Sequence, residues 1–295
     1  MSKPWSNSSN NIIQTGSPGT EGYGRSAFGP PVDSGSGGTG IENTETLNTG
    51  NADDTLIGQG GIGGYGHKGA FFSIGIPYGH LEGHYAGQGG AGGTGIDNRG
   101  GLYTGNGKDT ITGIGGAGGF GESGWFYYRS NYQGGSSSYS PMPSMGSPGG
   151  TGLSNSGTID TGNGDDIVTG TAGKAGPMES VDPSPDILNS GTISTGNGDD
   201  IVRAITDSGS IGKIAGGGSI ILGNGNDRIE GFGSQSVDGG KGFDTAILGI
   251  GYDKNLLSLG STPNSIKIGE MLFKEVEQFV FAGGTYSLSS LQSSI

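Results

Sequence analysis

Apolar residues fall along this chain in a frame that repeats at intervals no helix would use. Ile41, Leu47 and Leu56 form one set, at steps of six and nine residues. The same steps recur in Ile96, Leu102 and Ile111, in Leu153, Ile159 and Val168, in Ile187, Ile193 and Val202, and in Ile214, Ile220 and Ile229. A helix needs apolar spacing near 3.6 residues. Short stretches such as Gly157-Thr158-Ile159-Asp160 and Asp166-Ile167-Val168-Thr169, separated by Gly and Asn, instead predict short strands joined by tight turns. Each set predicts one coil, and stacked coils line their few apolar residues into a continuous core that no single repeat builds alone. The expected fold is all-β: a parallel β-roll or β-helix solenoid with Gly-rich insertions and a C-terminal β cap.

Between the second and third member of each set lies a recurring polar phrase. It reads Thr49-Gly50-Asn51-Ala52-Asp53-Asp54, and then Thr104-Gly105-Asn106-Gly107-Lys108-Asp109. Further copies begin at Thr161 and Thr195, and looser ones span Leu222 to Asp227 and Gly239 to Asp244. Their last aspartates are 55, 57, 34, 27 and 17 residues apart, so the frame is constant while the insertions vary. The long insertions repeat too. Gly-Gly-Thr-Gly precedes Ile41, Ile96 and Leu153. Gly22-Tyr23-Gly24, Gly64-Tyr65-Gly66 and Gly119-Phe120-Gly121 each precede further aromatics: Phe28, then Phe71 and Phe72, then Trp125 to Tyr128. Modules of about 56 residues result, each with a Gly-rich lobe whose aromatics are expected to stack on the next lobe.

Composition sharpens this picture. Glycine supplies 70 of 295 residues and only 29% of the chain is hydrophobic, so a large apolar core cannot offset the ordering entropy unaided. The net charge of −13 calls for cations in the compact state and excludes nucleic acid as a partner. Collagen is excluded because glycine is under a third of the chain and keeps no strict three-residue period. No stretch is apolar for the roughly 20 residues of a membrane span, and Met1 to Asn11 does not resemble a cleavable signal peptide.

The glycines of the phrase let the backbone turn tightly so that carbonyl oxygens converge, and its aspartate adds an anionic oxygen. Calcium, with 6–8 oxygen ligands in flexible geometry, suits such donors better than magnesium or zinc. The six copies resemble the RTX repeats of secreted calcium-binding proteins, Gly239 to Ile247 most closely. The resemblance implies that Asp54, Asp109, Asp166, Asp200, Asp227 and Asp244 are carboxylate ligands of Ca2+. It implies carbonyl ligands around Gly50, Gly105, Gly162, Gly196, Gly223 and Gly240. The chain departs from the family where every second turn is degenerate, as at Asn155-Ser156-Gly157, so one edge of the roll is expected to bind metal. Ala52, Lys108 and Lys241 weaken individual sites. Asn51, Asn106, Asn163, Asn197 and Asn224 hint at a stacked side-chain ladder. A second account stays open: the Asp-Asp pairs form Asx-turns that cap the stack without metal.

From Gly251 the apolar density rises, and Leu256 to Phe281 is expected to form hairpins that close the stack. Phe279 to Tyr286 resembles the ending that follows RTX repeats in type I secreted bacterial proteins, which implies a secreted or cell-surface protein. Three regions follow: an arm and first lobe over 1–40, the solenoid over 41–249, and the cap with its export signal over 250–295. Ile12 and Ile13 in the arm could add as a strand to a neighbouring molecule, giving homo-oligomers or fibres by end-to-end stacking. No enzyme is expected. His80-Leu81-Glu82-Gly83-His84 lacks the order and helical setting of a zinc protease, and no nucleophile turn or P-loop is present. The expected function is a self-assembling extracellular structural protein. The alternative is an adhesin or glycan-binding module that uses the aromatic lobes at Phe71 to Tyr85 and Trp125 to Tyr132.

Overall fold

The computed structural model describes residues 11–21, 34–67, 71–131, 136–143, 146–176 and 183–295. The expectations for Ser2 to Asn10, for Gly22 to Phe28 and for Tyr132 lie outside these residues. The chain winds into a parallel solenoid with three sheets as its faces. Within the second coil, Ile96–Asn98 lies on one face, Gly101–Tyr103 on the next and Thr110–Ile114 on the third. The Gly-rich insertions leave from the third face and return to the first.

The apolar frame stacks in register. Ile41, Ile96, Leu153, Ile187 and Ile214 form one column. Leu47, Leu102, Ile159, Ile193, Ile220 and Val237 form the second. Leu56, Ile111, Val168, Val202, Ile229 and Ala246 form the third. Almost all are fully buried, so each coil contributes about three side chains to a narrow core. Parallel in-register pairing sets like residues above like, which lets amides chain along the stack. Asn43, Asn98, Asn155 and Asn189 do so inside the coil, each Nδ2 donating to the next oxygen at 2.7–2.8 Å, and Asn189 donates onward to Gln235 at 2.9 Å. The degenerate corner at Asn155 is this buried ladder.

The C-terminal hairpins close the stack as expected. Met271–Lys274 and Gln278–Ala282 pair in parallel with the last coil, then Ser265–Ile268 and Gly284–Ser287 turn back antiparallel. Phe273 and Phe279 meet edge to face at 5.3 Å over the end of the core. The stretch Phe279 to Tyr286 is this hairpin. Strand Asn11–Thr15 makes the first rung of the third face, with Ile12 opposite Leu56. Ile12 and Ile13 are therefore paired within their own molecule.

The lobes differ from the whole-chain reading of glycine. Within them a Gly-Gly-x period is kept: Gly60-Gly61-Ile62, Gly63-Gly64-Tyr65, and likewise Gly115-Gly116-Ala117, Gly118-Gly119-Phe120. Both glycines of each triplet are buried and the third residue faces outward, the period of an extended helix with three residues per turn. Such a helix has no internal hydrogen bonds, so its N–H groups bond to neighbours. Gly60 donates to Ile114 O in the next outgoing segment, while Gly61 donates to Gly38 O in a returning one, both at 2.8 Å. Gly93, Gly116, Gly150 and Gly173 continue the second series. The result is a two-layered slab of glycine helices beside the solenoid. A Cβ at Gly61 would stand 1.9 Å from Ser17 O, so only glycine permits this approach.

Candidate functional site

The six repeat aspartates form one column. Asp54, Asp109, Asp166, Asp200, Asp227 and Asp244 are at most 1% exposed. Each lies two residues before an inward-pointing apolar residue, and the alternation of the strand turns it inward too. The N–H of Asp54 donates to Asp109 Oδ1 at 2.7 Å, and the pattern repeats coil by coil to Asp244. Glu277 then stands where a seventh aspartate would, accepting from the N–H of Asp244 at 2.7 Å. On the outside of the same turns, Asn51, Asn106, Asn163, Asn197 and Asn224 form the expected amide ladder at 2.5–2.6 Å.

The second carboxylate oxygens are left over. Oδ2 of Asp109, Asp166, Asp200, Asp227 and Asp244 is buried and has no hydrogen-bond partner. Thr104 stands close enough to lower the Asp109 pKa, but its hydroxyl proton points to Thr161 O at 3.3 Å. Desolvation, followed by repulsion from neighbouring carboxylates, pushes Asp166 and Asp227 up to about 7 and Asp244 up to about 6. Asp109 and Asp200 are raised for the same leading reason. The column is thus a stack of buried carboxyl groups whose charged form is only partly compensated, by one backbone N–H each.

These oxygens suit a hard cation in chemistry and charge, but they do not form a closed shell. No three Asp, Glu or His side chains come together as a metal cluster among the described residues. The carbonyls of Gly105 and Gly162 accept the N–H groups of Asn163 and Asn197 at 2.9 Å, and Gly196, Gly223 and Gly240 lie in the parallel ladder. Gly50 O faces Gly105 directly, 1.8 Å from where a Cβ would be, which is why the turns keep glycine there.

The lobe aromatics form a second site. The hairpin Phe72–Ile76 and Gly79–His84 of one insertion joins the hairpin Gly124–Ser130 and Ser138–Met142 of the next in a single antiparallel sheet. Lobe stacks on lobe as expected: Tyr65 on Phe120 at 5.7 Å, and Phe72 against Phe126 at 5.6 Å. Phe72, Tyr85 and Phe126 pack together on one face, holding the hairpins to each other. On the other face Phe71, His84, Trp125 and Tyr139 make a row that crosses the sheet. His80, Glu82 and His84 alternate along one strand rather than a helix turn, and no zinc-protease geometry results. The role of Gly83 was missed from sequence: a Cβ there would lie 2.0 Å from Trp125 O, so the glycine lets the two insertions dock. Comparison with protein-family models and with curated protein sequences gives no match.

Proposed function

We propose that this chain is a non-catalytic extracellular display protein whose calcium-stabilised solenoid and glycine slab hold an aromatic sheet out as an adhesive surface. The observation that carries this reading is the slab. Two layers of glycine helices, bonded to each other from Gly16 to Gly176, connect the solenoid to one ordered sheet built from two insertions. Long flexible loops would suffice for spacing alone; a rigid slab fixes the orientation of what it carries. Calcium enters the proposal as counter-charge for the aspartate column. The donors are oxygens throughout, five ions would reduce the net charge from −13 to about −3, and the likeness of the turns to RTX repeats points the same way. That likeness also supports type I export.

Assembly into fibres by end-to-end stacking is the less supported reading. The Ile12–Ile13 strand already pairs along one edge within its own sheet, and the C-terminal end is covered by hairpins. Electron microscopy of the full chain in millimolar calcium is expected to show dispersed particles that adhere to bacterial or host-cell surfaces in a retention assay. Ordered fibres, or no retention on any surface, would overturn the proposal.

A further inference from the structure

Resting on the display reading, we propose that the open face of the aromatic sheet binds neutral oligosaccharide chains, with Trp125 at the centre of the site. Strand register puts the residues together. Trp125 lies opposite His84, Tyr127 opposite Glu82, and Arg129 opposite His80, and directly opposed residues share a face. Phe71 reaches His84 and Trp125 at ring-centroid distances of 5.4 and 6.2 Å, and Tyr139 continues the row at 6.4 Å. Phe71 and Tyr139, at its two ends, are 46% and 63% exposed, so the row is open to a ligand lying across the strands.

The chemistry of that face selects the ligand. An aromatic row alone would suit any apolar partner. Here the next rows along the strands add polar groups to the rings: Glu82 stands beside Tyr127, which is itself opposite Tyr139, and His80 stands beside Arg129. A ligand matching both has apolar C–H faces and many hydroxyl groups along one chain, which describes a sugar polymer. Charge narrows the class. The four strands carry one acidic residue, Glu82, and one permanent cation, Arg129, while the chain as a whole stands at −13. Anionic polymers, nucleic acid and acidic membranes are repelled by the whole and attracted by nothing strong on this face. On the opposite face Phe72 is buried, at 5% exposed, and packs against Tyr85 and Phe126, which ties the two insertions together.

The test uses the full chain in calcium, probed with a neutral-glycan array and by co-sedimentation with cellulose, chitin and mannan. A Trp5→Phe background leaves Trp125 as the one tryptophan, so its fluorescence reports sugar binding directly. At least one neutral glycan should bind, weakened tenfold or more by Trp125→Ala and partly retained by Trp125→Phe. Phe243→Ala, an exposed ring on a solenoid turn, should leave binding unchanged. If Trp125→Ala fails to fold by circular dichroism, Tyr139→Ala serves in its place. No binding to any neutral glycan, or binding indifferent to both substitutions, overturns the proposal. Cell-surface retention that survives periodate oxidation of the surface sugars would sink the glycan assignment and leave the display reading standing.

Discussion

Stripped of divalent ions, the protein should lose stability as pH rises from about 4 to about 8, the reverse of the usual behaviour of paired carboxylates. The perturbation is pH itself, with a chelator present. The folded state holds protons on Asp166, Asp227 and Asp244 up to about pH 7, 7 and 6, against 3.8 for the free side chain. Their folded pKa values are raised, so the native protein binds more protons than the unfolded chain between these limits. Stability is therefore highest below about pH 4 and falls through the window to its floor above about pH 7. A rise from 3.8 to about 7 is worth about 4 kcal/mol, at about 1.36 kcal/mol per pH unit. Charges in one column relieve one another, so the losses do not add in full. Even a single such loss is a large part of a total stability of about 5–15 kcal/mol and should lower the melting temperature by about 10 °C. Thermal melts followed by far-UV circular dichroism at pH 4 and pH 8 in chelator measure this, and millimolar calcium should restore most of the difference at pH 8. A melting temperature that stays level or climbs with pH would refute the buried-charge argument, and calcium that adds nothing at pH 8 would refute its role as counter-charge.

Two pairs of substitutions separate the slab from the solenoid and the inner ladder from the outer. Gly61→Ala puts a methyl 1.9 Å from Ser17 O and should open the lobes to protease cleavage between residues 58 and 95, whereas Gly75→Ala, whose nearest neighbour is 3.8 Å away, should be cut no faster than wild type. Asn155→Ala strands the buried amides of Asn98 and Asn189 and should cost about 1–3 kcal/mol in urea unfolding. Asn163→Ala, in the exposed ladder where water replaces the lost bonds, should cost under about 1 kcal/mol. Equal losses at Asn155 and Asn163 would show that burial does not set their worth.

What the sequence made legible was whatever repeats at fixed spacing. The steps of six and nine became three columns because parallel coils in register carry identical spacings, and the uniform Asn51 series became a ladder for the same reason. The triplets Gly60-Gly61-Ile62 and Gly63-Gly64-Tyr65 were equally plain, but a whole-chain test for a three-residue period averages them away. Their purpose was out of reach of local reasoning, since the atom that forbids a side chain at Gly116 is the carbonyl of Gly61, one coil and 55 residues away.

The aspartates carry the sharper lesson. Asp54, Asp109 and Asp166 each stand two places before a core residue, as Asn43 and Asn98 stand two places after one. In an extended chain a step of two returns to the same face, so all of these point inward with Leu56, Ile111, Val168, Ile41 and Ile96. Resemblance to a metal-binding turn draws attention to the convergence of oxygens at the edge of the roll; the pleat places the carboxylate inside it. From Asp109 to Asp244 each aspartate satisfies a backbone N–H of the adjacent coil with one oxygen and leaves the other without a hydrogen bond, and that division of labour makes the column at once a register device and a charge in need of a partner. A chain whose apolar core is this thin therefore gains coil-to-coil registry from its acids, at a cost that protons or bound cations must offset.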